Sequence, residues 1–496
     1  MTMSPVRVRL APSPTGTPHL GTARTAIFDW LLARNTGGAF ILRIEDTDRN
    51  RYVPESLNEI YESLRWLGVP WDEGPEVGGP HAPYFQSERL SLYQDAARRL
   101  IDGGHAYECY CTPERLDAMR NQQRERKLPP GYDGRCSTND GRALAKAEAG
   151  DRRPVVRFHM PDEGETVVDD FLRGPVRFEN ERLDDAVLLK SDGFPTYHLA
   201  VVVDDHEMQI THVLRGEEWL PSAPLHLRVY RALGYEPPVF VHTPLILGTD
   251  RSKLSKRHGA QSVLEYRDQG YLPDAVFNFL ALLGWSLDDK TEIISRDQFV
   301  AHFSLERLLK SPAVFNLEKL DWINAEYMRA LTDEEFVEVV RPWLEKPESE
   351  GGLPSQVPRP LDAEYSKRLV PLVKERVKLA SKAIEMMAFF YLPHGIEPDA
   401  DELLGKTYAG DRSRAALLLS EALVLAEQTK DGTPEAMEQA YRALADRLEV
   451  KFRDLAGLMR VAITGRSVSP PLFESMEVLG RERCVLRLRD AVQLLQ

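Results

Sequence analysis

The sequence predicts a multidomain protein with an α/β N-terminal half, built on a doubly wound parallel sheet, and an all-α C-terminal region. A strand, loop, helix and strand open the chain, and apolar residues follow helical spacing beyond about residue 260. The length of 496 residues exceeds what one hydrophobic core supports, so about three to five domains are expected. These observations carry the prediction of fold class.

The first strand–helix–strand unit lies between residues 6 and 44. Residues 6–10 alternate between apolar and charged side chains as a strand does, and the prolines that follow forbid a helix before Pro18. Helical spacing begins at Leu20 and ends at Gly37, and residues 39–44 form the next strand. Parallel pairing of the two strands implies a doubly wound sheet.

The rest of the N-terminal half continues this pattern around an insertion. Helical segments are predicted at residues 56–67 and 87–101. Short apolar stretches between residues 103 and 192, such as 155–158 and 174–178, are broken by glycine, proline and charge and predict an inserted α/β domain. Strand-like segments then return, at residues 200–203, 210–214 and 239–241. The insertion therefore splits the sheet.

The C-terminal region is predicted to be helical throughout. Apolar residues follow helical spacing in four segments, at residues 275–283, 366–390, 413–426 and 434–448. A stretch rich in proline and glycine, residues 346–360, is expected to connect helical subdomains. We find no internal repeat.

Composition favours a globular protein of the cytoplasm. Apolar residues make up 43% and charged residues 28% of the chain, with no apolar run long enough for a membrane span or a signal peptide. Four cysteines in a chain of this length cannot form a disulfide framework, which fits a reducing compartment. The net charge of −14 argues only weakly against a nucleic-acid partner, because phosphates require a local basic surface.

The peptide PHLGT at residues 18–22 is a candidate phosphate site. Its residues lie at the turn from strand to helix, where free backbone N–H groups and the helix dipole favour an anion. Gly21 lets a ligand approach the backbone, and His19 can donate a hydrogen bond to a phosphate oxygen. The alternative interpretation is that His19 caps the helix.

The peptide KLSKR at residues 253–257 is the second candidate. Lys253 and Lys256 lie in a polar loop between Gly248 and Gly259 that could close over a pyrophosphate. The alternative is a solvated loop. The chain has neither a Walker loop nor a Gly-x-Gly-x-x-Gly motif, which disfavours NTPase and dehydrogenase functions.

Several peptides occur in an order that is typical of one family: APSPTG (11–16), PHLG (18–21), RIEDTD (43–48), PTYH (195–198), VDDH (203–206), VLRGEE (213–218) and KLSKRHG (253–259). With them the chain resembles the bacterial glutamyl-tRNA synthetases, which are class I aminoacyl-tRNA synthetases. The resemblance is strong through residues 5–330 and continues more weakly to the C-terminus, at residues 461–465 and 479–483. The two phosphate peptides match the HIGH and KMSKS signatures of the family, with Leu20 and Thr22 replacing Ile and His.

The resemblance implies a domain organisation. A Rossmann-type class I synthetase catalytic domain would be split by an α/β insertion that holds the acceptor end of tRNA, and the helical C-terminal region would read the anticodon. The implied boundaries are 1–91 and 200–250 for the catalytic domain, 92–199 for the insertion, 251–331 for the KMSKS loop and stem-contact domain, and 332–392 and 393–496 for two helical anticodon-binding subdomains.

The resemblance also implies a two-step reaction. ATP with Mg²⁺ and L-glutamate would form glutamyl-adenylate and pyrophosphate, and the glutamyl group would pass to the terminal adenosine of tRNA(Glu). His19 and Lys256 would stabilise charge at the phosphorus and on the pyrophosphate, with Lys253 in the same loop. The implied ATP-binding residues are His19, Gly21, Thr22, Glu218, Trp219, Leu245, Ile246 and Lys256.

The implied glutamate pocket complements two carboxylates and one ammonium. Arg9 and Arg215 match two pocket arginines of the family, whose planar guanidinium can grip a carboxylate, and Glu45 would take the ammonium. Either arginine could hold the side-chain carboxylate, and on sequence alone either could instead form a surface ion pair. The remaining wall residues would be Ala11, Ser13, Tyr197 and Val201. Val201 stands where some members have Asn, so a polar contact would be missing.

Three cysteines in the insertion form a candidate zinc site. Some bacterial members bind a structural zinc there through Cys-x-Cys, a third Cys and a His, and Cys109, Cys111 and Cys136 match the cysteines. Thr138 stands at the fourth position and is not a usual zinc ligand. Either another residue completes the tetrahedron or the metal has been lost.

Arg376 matches a family arginine associated with the third anticodon base, which favours an enzyme restricted to tRNA(Glu). Two alternatives remain at this point. One is a close relative, either a non-discriminating enzyme that also charges tRNA(Gln) or a glutaminyl enzyme, although the helical C-terminus disfavours the latter. The other is a silent paralogue that only binds tRNA or protein. The family leads us to expect a monomer.

Overall fold

A computed structural model describes residues 5–129, 131–254, 262–392, 396, 398–428 and 432–496. The chain divides into two compact units. The N-terminal unit comprises Met1–Tyr266 and Val276–Lys319, and the C-terminal unit comprises Arg267–Ala275 and Leu320–Gln496.

The described strands all belong to the N-terminal unit. In chain order they are β1 (Arg7–Leu10), β2 (Ala39–Leu42), β3 (Ala106–Cys109), β4 (Val155–Phe158), β5 (Glu165–Asp170), β6 (Gly174–Glu179), β7 (Val187–Leu189), β8 (His212–Gly216), β9 (Val239–Thr243), β10 (Ile246–Leu247) and β11 (Ala313–Val314).

Helices occur in both units, and the C-terminal unit is built from helices. In chain order they are α1 (Leu20–Thr36), α2 (Pro54–Trp66), α3 (Leu90–Asp102), α4 (Pro113–Glu125), α5 (Asn139–Ala149), α6 (Tyr197–Glu207), α7 (Ala223–Ala232), α8 (Val263–Asp268), α9 (Pro273–Leu282), α10 (Arg296–His302), α11 (Leu317–Ala330), α12 (Asp333–Leu344), α13 (Ala363–Val373), α14 (Ala383–Tyr391), α15 (Ala400–Tyr408), α16 (Arg412–Gln428), α17 (Pro434–Arg447), α18 (Phe452–Thr464), α19 (Leu472–Leu479) and α20 (Arg481–Leu495). None of these described helices combines the length and the apolar character that crossing a membrane requires.

The opening unit has the predicted form. Strands β1 and β2 pair in parallel, with Val8 opposite Phe40, and α1 connects them. The helix ends where Gly37 adopts a left-handed conformation with φ of 65°, which closes the last turn without a side-chain clash. Strand β1 lies beside the start of β8, because the Thr211 N–H donates to the Arg7 carbonyl at 2.9 Å. The N-terminus of α1 is thereby held at the carboxyl end of β1, where ligands bind in such folds.

A four-stranded sheet in the order β6, β5, β9, β8 continues the core. Strands β8 and β9 are parallel, and their register sets Arg215 opposite His242. Strand β5 joins β9 at Asp170 and Phe240. Strands β5 and β6 lie within the sequence segment expected to be an insertion, yet they pair with this sheet. The alternation of side chains along a sequence predicts that a strand forms, but it does not predict which other strand pairs with it.

A separate antiparallel sheet of β3, β4 and β7 carries a small core of its own. Tyr107, Cys109, Tyr110, Cys136 and Ala145 form this core together with partly buried neighbours. All four cysteines of the chain are free thiols in the structure.

One strand prediction is wrong, because residues 200–203 lie inside α6. Every residue from Leu199 to Asp205 is buried, so the helix is covered on all sides and shows no polar face to set a 3.6-residue period. A short apolar run of this kind cannot be distinguished from a buried strand by periodicity.

The C-terminal unit confirms the predicted helices at residues 413–426 and 434–448 as α16 and α17. The segment 366–390 is interrupted, because α13 ends at Val373 and α14 begins at Ala383. Val377 and Ala380 are buried in the intervening turns, so apolar spacing continues where the helix does not.

Asp29 is a fully buried acid in the middle of α1. Neither of its carboxylate oxygens has a hydrogen-bond partner in the part of the chain that the structure describes. Burial raises the pKa of Asp29 well above its usual value, and the charge of Asp205 adds to the rise although Arg9 opposes it. Because an isolated charge would be costly at this position, burial favours the protonated form of the carboxyl.

Replacing Asp29 by asparagine is expected to remove part of the pH dependence of stability. The folded state keeps a proton that the unfolded chain releases above its ordinary pKa, so stability falls by about 1.4 kcal/mol per pH unit until the folded pKa is reached. The amide of the variant has no such proton to release. The melting temperature of Asp29→Asn, relative to that of the wild type, should therefore increase as the pH is raised from about 5 to about 8. A constant difference over that range would show that Asp29 is ionised in the fold.

Candidate active site

His19 caps the N-terminus of α1. Its Nδ1 accepts a hydrogen bond from the Thr22 N–H at 3.3 Å, and its backbone is extended. In the neutral ring the proton then lies on Nε2, which remains available to donate. The two interpretations of His19 are therefore compatible, because the cap fixes the tautomer that a phosphate ligand needs.

The surroundings keep His19 neutral. Desolvation lowers the pKa of His19, and the positive charges of Lys253 and Arg24 lower it further, while Glu218 raises it. Arg24 is itself buried, with Nη2 donating to the Pro244 carbonyl at 2.6 Å and Nη1 to the Leu283 carbonyl at 3.1 Å. These contacts anchor α1 to the chain that leads into β10.

Gly21 leaves space for the His19 ring. A Cβ atom at Gly21 would lie 2.9 Å from His19 Cε1 and 3.0 Å from Nδ1, closer than such contacts tolerate. The sequence interpretation attributed Gly21 to the approach of a ligand. The structure adds a second reason, since any side chain there would displace the histidine.

The second phosphate peptide is described only in part. Lys253 pairs with Leu247 of β10, and the Leu254 N–H donates to the Ile246 carbonyl at 3.1 Å. This pairing brings Lys253 near His19, as its effect on the histidine pKa indicates. Lys256 lies outside the described residues.

The other predicted ATP residues lie in two segments after β8 and β9. Glu218 and Trp219 belong to a short 3₁₀ helix that follows β8. The Trp219 side chain is exposed, and its ring centroid lies 4.7 Å from that of Tyr197. The Leu245 N–H donates to Glu217 Oε1 at 3.0 Å, which joins the two segments.

Arg9 belongs to a buried network of alternating charges. Arg9 Nε and Arg43 Nη1 both donate to Asp205 Oδ1, at 3.0 and 2.7 Å. Burial opposes ionisation of Asp205, but the charges of Arg9 and Arg43 outweigh it and lower the pKa of the carboxyl. Arg9 is therefore already paired with a carboxylate.

Asp204, the neighbour of Asp205 on α6, completes the network. It accepts hydrogen bonds from Arg89 Nε at 2.7 Å, from Gln86 Nε2 at 2.8 Å and from the Tyr93 hydroxyl at 2.9 Å. Sequence reasoning assigned no role to either aspartate. The available signal was two adjacent acids in a run of buried apolar residues, which must be paired.

Glu45 lies beside this network with a perturbed acidity. Arg43 Nη2 donates to Glu45 Oε1 at 3.2 Å, and the side chain is nearly buried. Burial raises the pKa of Glu45 to about 7, although Arg43 and Arg9 act in the opposite direction. Its charge therefore changes within the physiological range.

Arg215, at the end of β8, is the second predicted pocket arginine and is 6% exposed. Nε donates to His242 Nε2 at 2.9 Å, and Nη1 donates to the Tyr197 hydroxyl at 3.1 Å and to His226 Nδ1 at 3.2 Å. Nη2 has no hydrogen-bond partner among the described residues. The groups that accept hydrogen bonds from Arg215 are thus neutral, and none of the described carboxylates forms an ion pair with Arg215.

The structure brings the predicted pocket residues together around Tyr197. Burial raises the pKa of the Tyr197 hydroxyl, on which the charges of Arg215, Glu45 and Arg9 also act. Val201 lies on the same helix, one turn further, and is buried. Ala11 and Ser13 follow β1 in the loop that leads to His19, where Ala11 is half-buried and Ser13 is exposed.

The three cysteines converge in the small antiparallel domain. The Cys109, Cys111 and Cys136 sulfur atoms all lie within 4.8 Å of one another. The Tyr132 hydroxyl lies 3.4 Å from both Cys109 Sγ and Cys111 Sγ, and it accepts the Cys136 N–H at 2.9 Å. Sequence analysis missed Tyr132.

Thr138 does not join this cluster. Its Oγ1 instead accepts the Gly141 N–H at 3.2 Å and caps α5.

Arg376 lies in the C-terminal unit, on the exposed turn after α13. Its Nη1 donates to the Leu372 carbonyl at 3.3 Å. Desolvation lowers the pKa of Arg460, and the positive charge of Arg376 lowers it further. Arg460 lines a cavity of about 440 Å³, together with Tyr408 and Arg453. Arg376 itself is not among the residues that line this cavity.

Comparisons with known proteins agree with the fold. The family described as tRNA synthetases class I (E and Q), catalytic domain, matches residues 5–322, and the anticodon binding domain family matches residues 335–492. These two matches define a class I aminoacyl-tRNA synthetase. The chain belongs to the glutamate–tRNA ligase family, as its relatives over nearly the full length show.

A glutamate–tRNA ligase of Dehalococcoides mccartyi is 52% identical over 487 residues, which cover 98% of each chain. That of Acidothermus cellulolyticus is 48% identical over 99% of this chain and 96% of its own. A solved glutamate tRNA ligase from Elizabethkingia meningosepticum, in complex with its amino acid, is 34% identical with a TM-score of 0.86 and covers 99% of this chain and 100% of its own.

The function follows from this membership. The protein is an enzyme that ligates L-glutamate to tRNA with ATP, and its helical C-terminal domain binds tRNA. The relatives give no support to the alternative in which tRNA(Gln) is also charged.

Proposed function

We propose that Arg215 holds the side-chain carboxylate of L-glutamate, that Glu45 holds its ammonium, and that the α-carboxylate faces ATP at the N-terminus of α1. The observation that carries this proposal is the buried charge of Arg215, whose Nη2 has no partner among the described residues. A buried cation without a carboxylate is costly, and a substrate carboxylate would pair it.

The two pocket arginines differ in a way that supports this assignment. Arg9 is held by Asp205, whereas Arg215 contacts only neutral acceptors. The carboxylate that reacts with ATP must lie toward the exposed end of α1, so the enclosed Arg215 suits the other carboxylate. Glutamine would leave Arg215 unpaired, which explains its rejection. Tyr197, Ala11 and Ser13 would complete the wall, with the buried Val201 behind them.

The phosphate end of the site acts by electrostatics. The backbone N–H groups of Gly21 and Thr22 and the Nε2–H of His19 would contact the phosphates of ATP. Lys253, together with Lys256, would stabilise the charge that grows on the departing pyrophosphate. The exposed Trp219 and the segment of Glu218, Leu245 and Ile246 would hold the nucleoside. Mg²⁺ would neutralise phosphate charge when bound.

The assignment is tested by two assays on the purified chain. The first is ATP–pyrophosphate exchange that depends on glutamate, measured with and without tRNA. The second is charging of purified tRNA(Glu) and tRNA(Gln). We expect exchange with glutamate and charging of tRNA(Glu) alone, because Arg376 and the adjacent cavity would read the anticodon. Charging of tRNA(Gln) would contradict the restricted specificity, and absence of exchange would contradict the assigned site.

His19→Ala is expected to abolish most glutamate-dependent exchange while tRNA affinity is retained. The Nε2–H acts on charge that develops in the transition state, so its loss should lower kcat by about 10²-fold or more. Steady-state exchange and a tRNA filter-binding titration measure the two quantities. If tRNA affinity falls in parallel, His19 serves as a helix cap for folding instead.

The KM for glutamate is expected to rise as the pH falls below 7. Only ionised Glu45 attracts the substrate ammonium, and burial sets the pKa of Glu45 to about 7. The ionised fraction falls roughly tenfold for each pH unit below that value. The KM for ATP should stay constant, and Glu45→Gln should show a high glutamate KM at every pH. A glutamate KM that is flat in the wild type would contradict the role of Glu45.

The cysteine cluster is proposed to hold a structural zinc ion. Three thiols within 4.8 Å supply soft ligands, and the Tyr132 hydroxyl lies against two of the sulfurs where a fourth ligand belongs. Zinc would supply folding energy to the small antiparallel domain and takes no part in the reaction.

Metal analysis of the purified protein should find about one zinc ion per chain. Cys136→Ser should lose it, and Tyr132→Phe should bind it more weakly in competition with a chelator. Thr138→Ala is the control and should retain the metal, because Thr138 caps α5. A wild-type protein without metal would contradict the proposal.

We also infer that the protein acts as a monomer in the cytoplasm, where translation takes place. Sedimentation of the purified chain would test the oligomeric state.

A further inference from the structure

The guanidinium of Arg215 is held on one side by a buried histidine and aspartate. Arg215 Nε donates to His242 Nε2 at 2.9 Å, and His242 Nδ1 lies 2.7 Å from Asp170 Oδ2. Arginine only donates, so His242 Nε2 must accept and the ring proton lies on Nδ1, where it is donated to Asp170. The side chains of His242 and Asp170 are fully buried.

Asp170 enforces this tautomer because all of its contacts are donors. Its Oδ1 accepts the N–H groups of Leu172 at 3.1 Å and Arg173 at 2.9 Å. Its Oδ2 accepts the backbone N–H of His242 at 3.0 Å in addition to the ring. Burial opposes ionisation of Asp170, but the hydrogen bonds from His242 and Arg173 outweigh it and lower the pKa of the carboxyl. An ionised carboxylate leaves His242 Nδ1 only the role of donor.

The other side of the guanidinium is held by Tyr197 and His226. Both N–H groups of Nη1 are used there, at 3.1 and 3.2 Å. His226 Nε2 lies 3.1 Å from His198 Nδ1, so a second chain of imidazoles continues away from the arginine. Three of the five N–H groups of Arg215 are thereby occupied, and both hydrogens of Nη2 are left without a partner among the described residues.

We propose that Asp170 and His242 are positioning residues that aim Nη2 of Arg215 at the side-chain carboxylate of L-glutamate without neutralising it. This inference rests on the proposed function of Arg215. An imidazole between the arginine and the aspartate fixes the orientation, as a carboxylate behind a histidine ligand fixes that ring in metal sites. A carboxylate in direct contact would satisfy the charge that the substrate must satisfy. The pair therefore also contributes to the discrimination between glutamate and glutamine.

Two substitutions of His242 separate the two ends of the imidazole. In Asn the amide group replaces the Nδ1 end, so His242→Asn keeps a donor for Asp170 and loses the acceptor for Arg215. In Gln the amide reaches the Nε2 end, so His242→Gln keeps an acceptor for Arg215 and loses the donor. The two variants change the same buried position and differ by one methylene group, and each is the control for the other.

We expect His242→Asn to raise the KM for glutamate about tenfold to a hundredfold, because a buried hydrogen bond to a charged group is lost. The KM for ATP should stay within about twofold of the wild type, and the ratio of kcat/KM for glutamate over glutamine should fall. His242→Gln should restore the glutamate KM to within about threefold of the wild type. Asp170→Asn should also raise the glutamate KM, because an amide has one acceptor oxygen for the four N–H groups that the two carboxylate oxygens now accept.

Each contrary result has a defined meaning. If the two His242 variants raise the KM for glutamate equally, or the KM for ATP rises in parallel, the pair is merely structural and the inference is overturned. Arg215→Ala distinguishes the positioning role of Asp170 and His242 from the proposed role of Arg215 itself. If Arg215→Ala leaves the glutamate KM unchanged, the proposed function of Arg215 fails. If it raises the KM and His242→Asn does not, only the positioning role fails.

Discussion

The pairing of buried charges constrains the N-terminal unit more than any other interaction. Arg9 belongs to β1, Arg43 follows β2 and Arg89 precedes α3. Their counterions come from Asp204 and Asp205, which are adjacent on α6. Removing one partner from such a set costs about 3–5 kcal/mol, because a charge is left unpaired in the interior. The network therefore fixes α6 against the strands. Because α6 also carries Tyr197, the same contacts position one wall of the proposed glutamate pocket.

Against this background Arg215 is the exception that gives the pocket its chemistry. The fold holds it with neutral acceptors on two sides and supplies no contact carboxylate from the described residues. Such an arrangement lowers the stability of the empty protein and strengthens the binding of an anionic side chain. Asp29 differs from Arg215, since it is buried without a partner among the described residues and its burial favours the protonated, uncharged form. Arginine cannot become neutral in this way, because its pKa is too high for the guanidinium to lose its proton.

The sequence predicts much of the fold, but it does not predict the residues that hold the candidate site residues in position. Alternation, helical spacing and glycine give β1, α1 and β2, and the family peptides name most pocket residues. Periodicity fails for α6, because a helix buried on all sides has no polar face. The pairing of Arg215 with His242 follows from the register of two parallel strands that are 27 residues apart, and Asp170 arrives from a third strand. Tyr132 reaches the cysteines for the same reason, through tertiary packing that no local pattern encodes.

The two ends of the site contribute to different steps of one reaction. The side-chain carboxylate of glutamate keeps its charge from the free substrate through the adenylate, so Arg215 in the proposed site would stabilise ground state and transition state alike. Binding of that kind lowers KM and leaves kcat nearly unchanged. In the proposed site the charge near His19 would appear only as the phosphorus is attacked and pyrophosphate departs, so the Nε2–H would stabilise mainly the transition state. The proposed site would thus assign substrate selection to the buried Arg215 and rate enhancement to the capped N-terminus of α1.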